Sequence, residues 1–179
     1  MRVDPSPTPT TGSSNLANAQ PILSRSDSVE LALAHNGNVV NSVELREELL
    51  QWGCSFSTSS DSEIIAHLLT HAPASDWEKR IAYCMRRLKG AYSLAVMTPH
   101  SLIGIRDPLG VRPLCMGKFD GGWIIASETC ALDHIGADLV RELDPGEAVI
   151  INKNGPSTVF RLSTQQNKSS CIFEHIYFA

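Results

Sequence analysis

The sequence predicts an α+β domain in which helices and strands form separate layers, and three observations carry that reading. Helix-start signals crowd into residues 41–78, each followed by apolar residues at helical spacing. Short β-rich runs separated by Pro and Gly fill residues 91–162. The two kinds of segment do not alternate, which argues against βαβ units and a parallel sheet. A chain of 179 residues is long enough to bury a genuine core as one domain.

Residues 1–14 hold three prolines among Ser and Thr, too few apolar groups to offset the entropy of ordering, and are expected to be disordered. Residues 29–34 read as a short buried strand, halted by the amide cluster His35-Asn36-Gly37-Asn38. Asn41 with Glu44 has capping-box spacing; Leu45, Leu49 and Trp52 supply the apolar face of the helix, and Gly53 ends it. Ser60 with Glu63 opens a second helix carrying Ile64, Ile65, Leu68 and Leu69. Ser75 with Glu78 opens a third, carrying Ile81, Met85 and Leu88 and ending at Gly90. Strands are then expected at 91–97, 101–107, 122–128, 147–152 and 157–162. The stretch 163–170 is polar and reads as a linker, after which "CIFEHIYFA" is apolar again.

Composition removes several classes of function. The net charge is −4 with no Lys/Arg block, so no nucleic-acid or anionic-membrane partner is implied. No apolar run approaches the ~18 residues of a membrane span, and the N-terminus lacks the apolar core of a secretory signal. Five scattered cysteines (54, 84, 115, 130 and 171) without a CxxC pair suggest reduced thiols in a cytoplasmic protein and no zinc site of that type.

Several side chains have both an ordinary and a chemical reading. Asn36-Gly37 makes a good turn between strand and helix, since both residues tolerate positive φ. A carboxamide donor beside a Gly N–H is equally the equipment that stabilises an oxyanion. Asp61 suits a helix N-terminus through the macrodipole, or anchors a substrate ammonium group. His67 and His71, one turn apart, read as a solvated helix flank, and with His35 they form no HExxH pattern. In "IRDPLGVRPLCMGKF" (105–119), Pro108 and Gly110 shape a reversal that Arg106, Asp107 and Arg112 would tie by ion pairs. There is no GxGxxG or Walker loop for a nucleotide and no GxSxG nucleophile.

Taken together, "AHNGNVVN", "FSTSSDSEIIAHLL", "LKGAYSLAVM", "GIRDPLGVRPL", "ASE" and "CIFEHIYFA" occur in the order found in one family. From Thr10 to Ala179 the chain resembles the glutamine phosphoribosylpyrophosphate amidotransferases, or amidophosphoribosyltransferases. "RDPLGVRPL" with "CIFEHIYFA" separates it from the related glutaminase domain of glucosamine-6-phosphate synthase.

The resemblance implies a four-layer αββα sandwich of the N-terminal-nucleophile hydrolase type, lacking its first strands. It divides the chain into a disordered segment 1–14, a partial class II glutamine amidotransferase domain over 15–162, and a linker with the start of a phosphoribosyltransferase domain over 163–179. In the family a cysteine thiolate at the mature N-terminus attacks glutamine, with its own α-amino group as base. The matching residues here would be Asn36 and Gly37 as oxyanion donors and Asp61 as the site of the α-ammonium. The resemblance implies glutamine and PRPP as substrates, a homo-oligomeric full-length enzyme, and 5-phosphoribosylamine as the product that opens purine synthesis. It also implies Mg2+ with PRPP and, in one branch, an iron–sulfur cluster to which Cys171 would contribute one ligand. The present chain has Met1 and "RVDPSPTP" where the family has Cys-Gly and an upstream His-x-Arg-Tyr. The expectation is therefore that these residues alone are inactive and complete no cofactor site. Two readings follow: a piece of the purine enzyme, or a non-catalytic homologue acting as a regulatory partner.

Overall fold

The amide cluster does not end its strand. In the computed structural model, which describes residues 18–26 and 28–162, β2 runs from Glu30–Val39, straight through Asn36 and Gly37. The turn falls later, at Val40 and Asn41. What holds these strand-poor residues extended is pairing with β3, Gly90–Met97: Asn36 faces Ser93, Gly37 faces Tyr92 and Asn38 faces Ala91. Gly37 has φ 147°, and a Cβ there would stand 2.1 Å from the Ala91 carbonyl oxygen. Only glycine permits that approach.

Five more strands join the order seen from sequence, with limits close to those expected. They are β4 (Leu102–Arg106), β6 (Gly122–Ala126), β8 (Glu147–Asn152) and β9 (Gly155–Arg161), together with β3 itself. Three strands and one helix were not anticipated: β1 (Ile22–Arg25), β5 (Cys115–Phe119), β7 (Asp138–Glu142) and α4 (Thr129–His134). The strands form an antiparallel six-stranded sheet, β1-β2-β3-β4-β8-β9, and an antiparallel three-stranded sheet, β6-β5-β7.

The three long helices are α1 (Ser42–Gln51), α2 (Asp61–Thr70) and α3 (Trp77–Arg87). Their start signals were read in the right places, but two caps work differently. Asn41 precedes α1 yet caps nothing; its side chain bridges the Arg87 carbonyl and the Lys89 N–H. Asp76 rather than Ser75 caps α3, accepting from the Lys79 N–H. Ser60 does cap α2, through the Ser62 N–H. Its partner Glu63 instead accepts the N–H and hydroxyl of both Ser57 and Thr58. Trp52 is largely exposed, leaving Leu45 and Leu49 as the buried face of α1.

Period-2 alternation turns one face of β2 to the helices. Leu31, Leu33 and Val39 join Ile64, Ile65, Leu68, Ile81 and Met85 in the core under α1–α3. On the opposite face of the six-stranded sheet, Val149 and Ile151 meet Leu114, Met116 and Leu143 between the sheets. Leu132 of α4 packs with Cys115 and Ala137 on the far side of the smaller sheet. The order is helices, sheet, sheet, helix: an αββα sandwich. The loop after β4 is tied by side-chain hydrogen bonds to its main chain, and Arg106 also pairs with Glu142 at 3.6 Å. Asp107 accepts from the N–H groups of Leu109, Val111 and Arg112, while Arg106 donates to the carbonyls of Gly110, Arg112 and Leu143. No described helix is long and apolar enough to cross a membrane.

The corner between β7 and β8 is closed by the fully buried Glu147. Burial raises its pKa, but donors from Arg141, Thr158 and the Asp144 N–H outweigh that and bring it to about 2 from an ordinary 4.5. A depressed carboxyl pKa contributes stability above the unfolded value and loses it as pH falls toward the folded one. Unfolding free energy is expected to fall by roughly 2–3 kcal/mol from this residue between about pH 5 and pH 2. Denaturant titrations across that range check it: Glu147→Gln should be less stable at neutral pH and show a flatter decline on acidification.

Candidate active site

Beyond Ile22, the last residue of β1 to pair with Leu33, the edge of β2 is taken up by side chains. The Gln20 carboxamide accepts from the His35 N–H and donates to the His35 carbonyl at 2.9 Å, continuing the ladder as a backbone would. Two pairs on, the Val39 N–H donates to Asp61 Oδ2 at 2.9 Å. Gly37 lies between them. Its partner Tyr92 gives its carbonyl to the Asp107 N–H on the β4 side. Gly37 and Tyr92 are therefore a non-hydrogen-bonded pair, and the Gly37 N–H points away from β3 to the same edge as those of His35 and Val39. Along that edge the Gly37 N–H and the group bound to Val39 are two residues apart, roughly 7 Å.

Asn36 sits one residue over, on the face turned toward the second sheet. There it lines a cleft of about 290 Å³ with Gln20, Ser93, Leu114 and Ser127. This is the small end of the range for ligand clefts and suits a small metabolite. Ser93 Oγ and Ser127 Oγ are 3.4 Å apart in its wall. Gln20, Ser93 and Ser127 were not singled out from sequence; they share only a cleft, which no linear pattern announces.

Asp61 is buried at the start of α2, and its carboxylate is turned to the sheet rather than spent on helix N–H groups. Oδ1 lies 3.5 Å from His35 Nδ1, which is also 3.2 Å from Ser62 Oγ. Three of the sequence-predicted residues thus converge on one stretch of β2, with Asn36 on the inter-sheet face and Gly37 and Asp61 on the edge. Cys171 lies outside the described residues, as do 1–14 and 163–179.

No described cysteine is suited to attack. Burial raises the thiol pKa of Cys54, drives that of Cys84 far up, and takes that of Cys115 to about 11. Cys130 is exposed, beside Glu128. Nor do the described cysteines converge on one another, so they do not fit an iron–sulfur cluster.

The layering is that of the N-terminal-nucleophile hydrolase fold. A family model described as a glutamine amidotransferase domain matches residues 13–134, and the chain belongs to that family. Curated relatives named amidophosphoribosyltransferase are 47% identical over 176 residues in Synechococcus elongatus and 43% over 171 residues in Bacillus subtilis, each match covering 95% of this chain. The chain spans 36% of the length of each of them. The solved glutamine PRPP amidotransferase from B. subtilis, complexed with ADP and GMP, is 42% identical with a TM-score of 0.85, over 93% of this chain and 37% of that one. A structure described as the allosteric regulatory enzyme of purine biosynthesis gives 43% and 0.83, over 91% and 35%.

Proposed function

We propose that these residues supply the glutaminase portion of an amidophosphoribosyltransferase. In that enzyme glutamine is hydrolysed, and the ammonia is joined to PRPP to give 5-phosphoribosylamine, the first step of purine synthesis. The observation that carries the reading is the edge of β2: an N–H at Gly37, a carboxamide at Asn36 and a buried carboxylate at Asp61. The roughly 7 Å between the Gly37 amide and the Asp61 position is about the reach of glutamine from its carboxamide to its α-amine. Asn36 and Gly37 would receive the carbonyl oxygen as it becomes an oxyanion. Asp61 would take the α-ammonium group, and Gln20 would keep the edge of β2 straight. On this reading none of the described cysteines is the attacking thiolate, PRPP and its Mg2+ would be held by the phosphoribosyltransferase portion, and the full enzyme would be a homo-oligomer. Its setting is the cytoplasm.

A graft tests this. The segment of the B. subtilis relative that matches this chain is exchanged for these residues, and phosphoribosylamine formation is measured with glutamine and with free ammonia. Turnover with both donors is expected. A folded graft that uses ammonia but not glutamine would refute the assignment in favour of a non-catalytic, regulatory homologue.

A further inference from the structure

Outside the cleft, Cys54, His67 and His71 come together, each offering a ligand atom within 4.8 Å of the others. Their positions are built by local structure. Gly53, at φ 87°, ends α1 with its N–H on the Leu50 carbonyl, and the Cys54 N–H reaches back to the Leu49 carbonyl. That is a Schellman cap, which fixes where the Cys54 side chain starts. His67 and His71 are one turn apart on α2, so their rings share a face. His71 Nδ1 lies 3.0 Å from the His67 carbonyl, which can only accept; Nδ1 therefore carries the proton and Nε2 is left with a lone pair. His67 is not the solvated flank residue expected from sequence. Its Nδ1 is buried without a well-formed hydrogen bond, the Ser55 main chain giving the ring only a weak one, and its ring is held edge-on by Phe56, on which Arg46 stacks. A buried ring nitrogen so poorly partnered is costly, and a ligand would satisfy it.

We propose that Cys54, His67 and His71 form a binding site for a zinc-class divalent cation, with water in the fourth position. One thiolate and two imidazole nitrogens are a borderline-soft donor set suited to such an ion. Tetrahedral zinc would bring these atoms to about 3.5 Å from one another, so the trio closes by about 1 Å on binding. Glu63 Oε1, 4.0 Å from His67 Nε2, stands behind that ring. Its carboxylate is already held by Ser57 and Thr58, which makes it a support rather than a fourth ligand. The ion would pin the loop between α1 and α2 to the helix that carries Asp61.

Binding replaces the S–H bond by an S–metal bond and passes the proton to solvent. Arg46 and Glu63 are the charged groups that act on His67 from outside the trio. Affinity should rise with pH, because the ion and protons compete for the same donor atoms.

The test is titration of the reduced, metal-free 179-residue chain with Co2+, an optical stand-in for Zn2+. One equivalent should bind, giving a thiolate-to-cobalt charge-transfer band and four-coordinate visible bands, with proton release, and Zn2+ should bleach them. Cys54→Ser should abolish the charge-transfer band. His71→Ala, at a partly exposed site, should weaken binding by at least about tenfold. Cys130→Ser and Cys171→Ser should change nothing. Absence of the band refutes the site, as does a band that survives Cys54→Ser or depends on Cys130 or Cys171. Should Cys54→Ser fail to fold, an unchanged cobalt affinity in folded His71→Ala is itself decisive against the proposal.

Discussion

Replacing Asn36 by Ala in the grafted enzyme is expected to lower the glutamine-dependent kcat by about 100- to 1000-fold while KM moves little. The charge that the carboxamide would meet exists only near the transition state, so its removal spares ground-state binding. The fold gives no reason for a structural collapse. Asn36 is half-buried on the cleft face, and its place in the ladder opposite Ser93 is a main-chain matter that Ala can fill. Melting temperature should therefore be nearly unchanged, and turnover with free ammonia should persist. Equal loss of both nitrogen donors' rates would show that Asn36 holds the fold and not the oxyanion.

The same residue shows where sequence reasoning reached its limit. Asn, Gly and Asn read as a turn because intrinsically they are poor strand formers, and nothing local says that β3 will pair with them out to Gly90. Long helices were legible because caps and apolar spacing are local signals; the error at Ser75 is a shift to Asp76, while at Asn41 the side chain is spent on Arg87 and Lys89 and no side chain caps α1. Strands β3, β4, β6, β8 and β9 were legible from β-branched and apolar runs. By contrast β7 is almost wholly exposed, β5 carries Gly117 in mid-strand, and β1 has four residues; none has enough pattern to stand out. From residue chemistry Asn36, Gly37 and Asp61 stood as open alternatives, and only the family motifs joined them into one candidate site. Gln20 completing β2, and Cys54 meeting a histidine pair on the next helix, depend on loop paths that no residue period encodes.

Asp61 separates two readings that sequence left open, and two substitutions distinguish them. As a helix-start acid it would act through the macrodipole, yet Ser60 is the cap and the Asp61 carboxylate accepts the Val39 N–H across to the sheet. Asp61→Ala leaves that buried N–H without an acceptor and should cost about 1–3 kcal/mol of stability. Asp61→Asn keeps an oxygen for Val39 and removes only the charge, so most of the stability should return. A charge-assisted hydrogen bond to the glutamine ammonium is lost in both, a loss of about 1.5–3 kcal/mol in binding, or about a 10- to 150-fold rise in KM for glutamine. Because the ammonium is held before and during reaction, kcat should change much less than KM. Steady-state kinetics with glutamine and with ammonia, run beside thermal melts of both variants, give the answer. A folded Asp61→Asn enzyme with wild-type KM for glutamine would reduce Asp61 to a brace for the edge of β2, and would move the ammonium site elsewhere in the cleft.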